Sequence, residues 1–192
     1  MMKCPLIVRN SVVLLLAAWA SPPASGQCAP PTIDRLLSPG GSGDHFGRWV
    51  DIDGDFAVIA GDSTAGSDLA YVYEREDGGT PFLLTDDVWN LVARLNSASG
   101  PATGAAIDGD TVAISTSAAL LVFSKPGPEW QNMGTQNARL DKEGLLFRQD
   151  VEVFGDVIVG AGDLGSDKVL VYVKPAAGGW VNDSSPWAWA LV

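Results

Sequence analysis

The chain has 192 residues, with 23 acidic against 12 basic side chains, a formal net charge of -11 and one histidine. That balance excludes DNA, RNA and anionic lipid surfaces as partners, since each needs a basic face. It suits an exported protein, or one that attracts cations.

Residues 1–26 read as a secretory signal peptide. Lys3 and Arg9 give a basic start, Ser11 to Ala20 an apolar run, and small residues follow. The run is too short for a permanent membrane span, so no membrane insertion is expected. Cleavage fits after Ala20 or after Gly26, and Gln27, standing directly before Cys28, argues against a lipid anchor. Losing Lys3 and Arg9 would move the net charge from -11 to about -13 and, with Cys4 gone, leave Cys28 alone, so no disulfide framework is expected. Residues 27–36 form a Pro-containing linker in which Cys28 is a spacer rather than a nucleophile. The expected location is secreted, periplasmic or cell-surface.

From Leu37 onward the sequence repeats. In Phe46 to Asp62, FGRWVDIDGDFAVIAGD, an Asp53-Gly54 pair sits between two apolar runs, and fainter copies recur around Gly109 and Gly155. Asp-Gly between such runs predicts a two-residue hairpin loop with positive φ at both positions. Two further landmarks recur at intervals of about 50 residues. One is a Val-aromatic-x-basic strand end at Val72 to Arg75, Val122 to Lys125 and Val171 to Lys174; the other is a Trp at 89, 130 and 180, the loop before Trp89 being the longest. Ala-Arg-Leu closes two units, at 93–95 and 138–140.

The outgoing runs FAVIA, TVAIS and VIVGAG are apolar at nearly every position, as in strands buried on both faces. AYVYE, LLVFS and LVYVK alternate more. No 3.6-residue apolar period is long enough for a helix, residues 139–149 offering one turn at most. The expected fold is all-β: three units, about 37–95, 96–140 and 141–192, each a four-stranded antiparallel sheet of β-propeller type whose faces are covered by its neighbours.

These residues resemble the FG-GAP repeat. The resemblance lies in Gly43-Asp44-His45-Phe46-Gly47, Val50-Asp51-Ile52-Asp53-Gly54-Asp55 and Ala60-Gly61, then in Ala70-Tyr71-Val72-Tyr73 and Trp89 to Leu95. It covers about residues 37–191 and is best in the first unit. It implies propeller blades like those of integrin α-chains and of many bacterial exported proteins. Later units depart from it: Phe46-Gly47 becomes Pro101-Ala102 and Phe147-Arg148.

Such repeats often carry a calcium loop, and Asp51, Asp53 and Asp55 are the metal candidates here. Ca²⁺ takes roughly six to eight oxygen ligands from a wrapping loop. The family's Asp-x-Asp-x-Asp-Gly-x-x-Asp loop is not matched, and the aspartates beside the glycines read as turn formers. Neither a metal site nor a cofactor is therefore assigned, with weak calcium binding left open. His45 occupies the variable position of a turn, where a solvated side chain is expected, and no nucleophile lies in a recognisable elbow. Trp49, Trp89, Trp130 and Trp180 suit packing between sheets; Trp187 and Trp189 suit one face of a last strand. Gly40 to Gly43 and Gly78-Gly79 read as hairpin loops rather than phosphate cradles.

The function expected is an exported, non-enzymatic repeat module that binds a protein or glycan through its loops. A calcium-dependent adhesion module and a polysaccharide-acting hydrolase are the alternatives. Three units are fewer than the about four to eight blades of a closed propeller. A piece of a longer gene, closure by self-association and a non-propeller stack are the explanations, in that order.

Overall fold

A computed structural model describes residues 35–40, 43–62, 68–79, 86–140, 151–162 and 168–182. The signal peptide, Cys28 and most of its linker, residues 141–150, and Trp187 and Trp189 lie outside the described residues. All described residues belong to one compact unit, Ile33–Val192.

The described residues are all-β and form three antiparallel sheets, each drawn from one stretch of chain. Sheet 1 has the order β1 (Trp49–Asp53), β2 (Phe56–Ala60), β3 (Ala70–Glu76), β4 (Val88–Leu95). Sheet 2 runs β5 (Ala102–Asp108), β6 (Thr111–Thr116), β7 (Leu120–Ser124), β8 (Ala138–Leu140). Sheet 3 holds β9 (Val151–Phe154), β10 (Val157–Gly162) and β11 (Lys168–Val173). Among the described residues no helix is long and apolar enough to cross a membrane.

The opening hairpin of every sheet has the same loop, displaced by one residue from the Asp-Gly expectation. Asp53 pairs with Phe56, Asp108 with Thr111 and Phe154 with Val157, so the loops are Gly54-Asp55, Gly109-Asp110 and Gly155-Asp156. Only the glycine is left-handed in each, with φ of 55°, 52° and 57°. A glycine first and an ordinary residue second is the type II′ pattern, not the type I′ that Asp-Gly implies. The correction explains the third unit, where Phe154 precedes the glycine: the recurring dipeptide is Gly-Asp.

Two cores separate the sheets. Val58, Val72 and Leu95 of sheet 1 meet Ile107, Ile114 and Phe123 of sheet 2. The other face of sheet 2, with Ala113, Leu120 and Val122, meets Val153, Ile158 and Tyr172 of sheet 3. Sheet 2 is thus covered on both sides, and β6 is buried at every position. The outer face of sheet 1 has its own cover: Leu36 and Phe46 lie on Ile59, Tyr71 and Tyr73, with Phe46 edge-on to both tyrosines at 5.6 and 6.3 Å. Burial pushes both phenols up in pKa, foremost by desolvation. In sheet 3, Ile158 and Gly160 are buried while Val157, Val159 and Ala161 are half-buried. There the all-apolar run does not mean two buried faces, because no sheet among the described residues covers the second.

Candidate functional site

The first strands of the three sheets, β1, β5 and β9, lie next to one another. Each is a sheet edge, so each has backbone N–H groups that its own ladder leaves without partners. Aspartates of the preceding sheet supply them. Asp51 Oδ2 accepts from Ile107 N at 2.8 Å, and Asp53 Oδ2 accepts from Gly109 N at 2.7 Å. Both donors stand 56 residues after their acceptors, so β1 and β5 run side by side in one direction. Asp108 repeats the contact one sheet on, accepting from Gly155 N. Asp51 also takes Ile52 N on its other oxygen, at 2.9 Å, and so bridges two strands.

A second link joins the sheets near their last strands. Asn132 Oδ1 accepts from Arg94 N and Asn182 Oδ1 from Arg139 N, each at 2.8 Å. Each asparagine follows by two residues a buried tryptophan, Trp130 or Trp180, set into the core between the sheets. The expected equivalence of Trp89 with these two does not hold. Trp89 is part of β4, paired with Arg75, and packs on the outer face of sheet 1. The recurring motif is Trp-x-Asn, and it was visible at 130–132 and 180–182.

The basic residue ending each third strand answers the turn aspartate. Arg75 Nε donates to Asp55 at 2.9 Å, while Lys125 and Lys174 lie 3.9 and 3.4 Å from Asp110 and Asp156. Lys125 also covers the Phe56 ring of sheet 1 at 4.5 Å. The three calcium candidates therefore have separate tasks. Asp51 and Asp53 bind backbone amides of sheet 2, and Asp55 binds Arg75 within sheet 1. As a group they do not present a shared oxygen cage, and among the described residues no cluster of three potential ligands forms.

His45 is exposed, but it is not simply solvated as expected. It has a positive φ of 46°, and its Nδ1 pairs with the Asp62 carboxylate, which Arg48 also binds. The hydrogen bond from His45, with the neighbouring Arg48 charge, holds the Asp62 carboxyl below the usual carboxylate range. This cluster fixes residues 43–48 against the end of β2. The fit is close: a Cβ on Gly61 would stand 2.1 Å from the Asp44 carbonyl oxygen.

Toward the start of the inner strands, away from the Gly-Asp turns, the three sheets border an open cleft of about 360 Å³. Arg48, Trp49, Val50, Asp51, Ala105, Val151 and Glu152 line it. Arg48 lies over the Trp49 ring at 4.7 Å, which draws the guanidinium to one wall. Glu152, exposed on β9, lines the same cleft. The cleft thus offers a cation, a carboxylate and part of an aromatic ring to one small polar group. Comparison with protein-family models and with curated proteins gives no match to this chain.

Proposed function

We propose that the chain is an exported, non-enzymatic repeat module of FG-GAP type whose sheets are blades of a partial β-propeller, and that it binds a protein or glycan ligand. The observation carrying the reading is the cleft where the three inner strands converge. Its volume falls in the range of ligand sites, roughly 300–1,000 Å³, its lining comes from three successive sheets, and its charged groups come from the first and third. Arg48 and Glu152, both lining it, suit a ligand with hydroxyl or amide groups, such as a saccharide or a peptide turn.

The repeats support the blade assignment, since each sheet repeats the Gly-Asp turn and each junction repeats an inner aspartate and an outer asparagine. The leader supports export. A glycan and peptide panel, read with the wild-type chain and with Arg48→Ala and Glu152→Ala, tests the binding. Affinity should fall about tenfold or more with either substitution, as losing a charge-assisted hydrogen bond implies. Ligands held equally by all three proteins would move binding away from the cleft. Sequencing the amino terminus of the exported protein should find cleavage after Ala20 or Gly26.

A further inference from the structure

We infer that two copies of this chain pair head to tail, the outward face of sheet 3 in each packing on the outward face of sheet 1 in the other, to close one ring of six sheets. The ring closure rests on the blade reading above; the contact itself rests on positions in the repeat.

Two residues before the turn glycine stand Ile52, Ile107 and Val153, and four before it Val50, Ala105 and Val151. In sheets 2 and 3 these positions face the preceding sheet and are packed into the core between them. In sheet 1 no described sheet precedes, and Val50 and Ile52 are 60% and 59% exposed.

One residue before the glycine stand Asp53, Asp108 and Phe154, all facing the following sheet. The two aspartates each bind a glycine N–H there. Phe154 has no such neighbour among the described residues and is 82% exposed, beside Val173 at 56% on the same sheet face. The described sheets therefore carry, at their two outward faces, the two halves of a junction that they already make twice between them.

Phenylalanine in place of the aspartate gives up the hydrogen bond and gains apolar area, which matches the exposed Val50 and Ile52 of a second copy. Farther out, sheet 1 is already filled by Leu36 and Phe46, as the first junction is filled by Trp130. The contact is thereby confined to the inner strands. The two faces differ, so the junction is heterologous, and two copies related by a two-fold axis make it twice and close. Six sheets lie within the about four to eight of closed propellers. Both exported copies carry the same net charge, about -13 once Lys3 and Arg9 are lost from the full chain's -11, so they repel, and salt should strengthen the pairing.

Light scattering on the full exported chain tests this, with Phe154→Asp and Ile52→Asp as variants. Both sites are exposed, and aspartate is the residue of sheets 1 and 2 at the place of Phe154, so folding is retained; circular dichroism checks it. The wild type should have twice the chain mass, more completely at high salt. Each variant alone should be a monomer. An equal mixture should regain pairs, because one of its two junctions then has both native faces. A wild type that stays monomeric, a mass that climbs without limit, or an Ile52→Asp variant that pairs like the wild type would each overturn the proposal. Neither substituted residue lines the cleft, whereas Val50 belongs to both cleft and contact, so ligand binding is read on the two monomeric variants and shows separately whether the binding reading stands.

Discussion

Asp53 of sheet 1 accepts a hydrogen bond of 2.7 Å from the backbone N–H of Gly109, the turn glycine of sheet 2. Asp108 does the same for Gly155. A residue that closes one hairpin thereby fixes the height of the next. Asp53→Ala should lower stability by about 1 kcal/mol, the net worth of such a bond at a partly exposed site. Asp51→Ala should cost about 2 kcal/mol, because two amides lose their acceptor. Urea midpoints give both numbers, and an Asp51→Ala variant no weaker than Asp53→Ala would contradict the bridging role.

The turn glycines are predicted to resist even alanine. At Gly54, Gly109 and Gly155 nothing lies within 4 Å of an added Cβ, so the cost is purely that of a left-handed backbone. Each Gly→Ala should destabilise by about 1–2 kcal/mol, and Gly→Asn by less, since asparagine tolerates that conformation. Thermal melts of the six variants measure the difference.

Gly160 presents the opposite case, a steric one. A Cβ there would come within 2.8 Å of Leu120 Cδ1, on a side chain fully buried between sheets 2 and 3. Gly160→Ala should cost about 1–3 kcal/mol by overpacking. Combined with Leu120→Ala, itself worth about 2–5 kcal/mol, it should add little or nothing, because the methyl group then enters the space vacated. Strict additivity in the double variant would refute the contact.

Chelation should leave the melting temperature unchanged. Asp51, Asp53 and Asp55 are engaged by two strands and an arginine, so removing divalent ions removes nothing that holds the sheets. A drop of several degrees on adding EDTA would show an ion in the fold.

The Asp62 cluster has a defined pH window. Its carboxyl is depressed in the folded state, mainly by the His45 hydrogen bond, so its contribution is present above the unfolded carboxylate value of about 3.9 and is lost as pH falls through the lower folded value. The stability difference between wild type and Asp62→Asn should therefore shrink as pH falls below about pH 4. A difference that persists undiminished below the folded value would exclude the ion cluster as its source.

Local chemistry was the part most legible in the sequence. The strands around the turn glycines, the near absence of helical period and the number of units all follow from residue spacing, and the sheets fall where those signals lie. The loop register was missed by one residue because Asp-Gly is the stronger hairpin dipeptide, and only the third unit, with Phe154 before its glycine, carried the contrary sign. The roles of Asp51, Asp53 and Asp108 were not legible, because each carboxylate acts on a backbone amide of another sheet. A side chain that stabilises its own turn and one that reaches across a junction look alike in sequence. The Asn132 and Asn182 links were hidden for the same reason, and pairing Trp89 with Trp130 obscured the Trp-x-Asn that marks them. The cleft needs three strands from three units, so no single segment announces it.

The two junctions are not equal. Where sheet 1 offers Asp51 to the second sheet, sheet 2 has Ala106, which accepts nothing, so the second junction holds one inner clamp against two in the first. An order of unfolding follows. Sheet 3 forms the weaker cooperative unit, and its amides should exchange with solvent at a lower free energy than those of sheets 1 and 2, which open together. Refolding is expected in the reverse order, with Trp180 buried after Trp130.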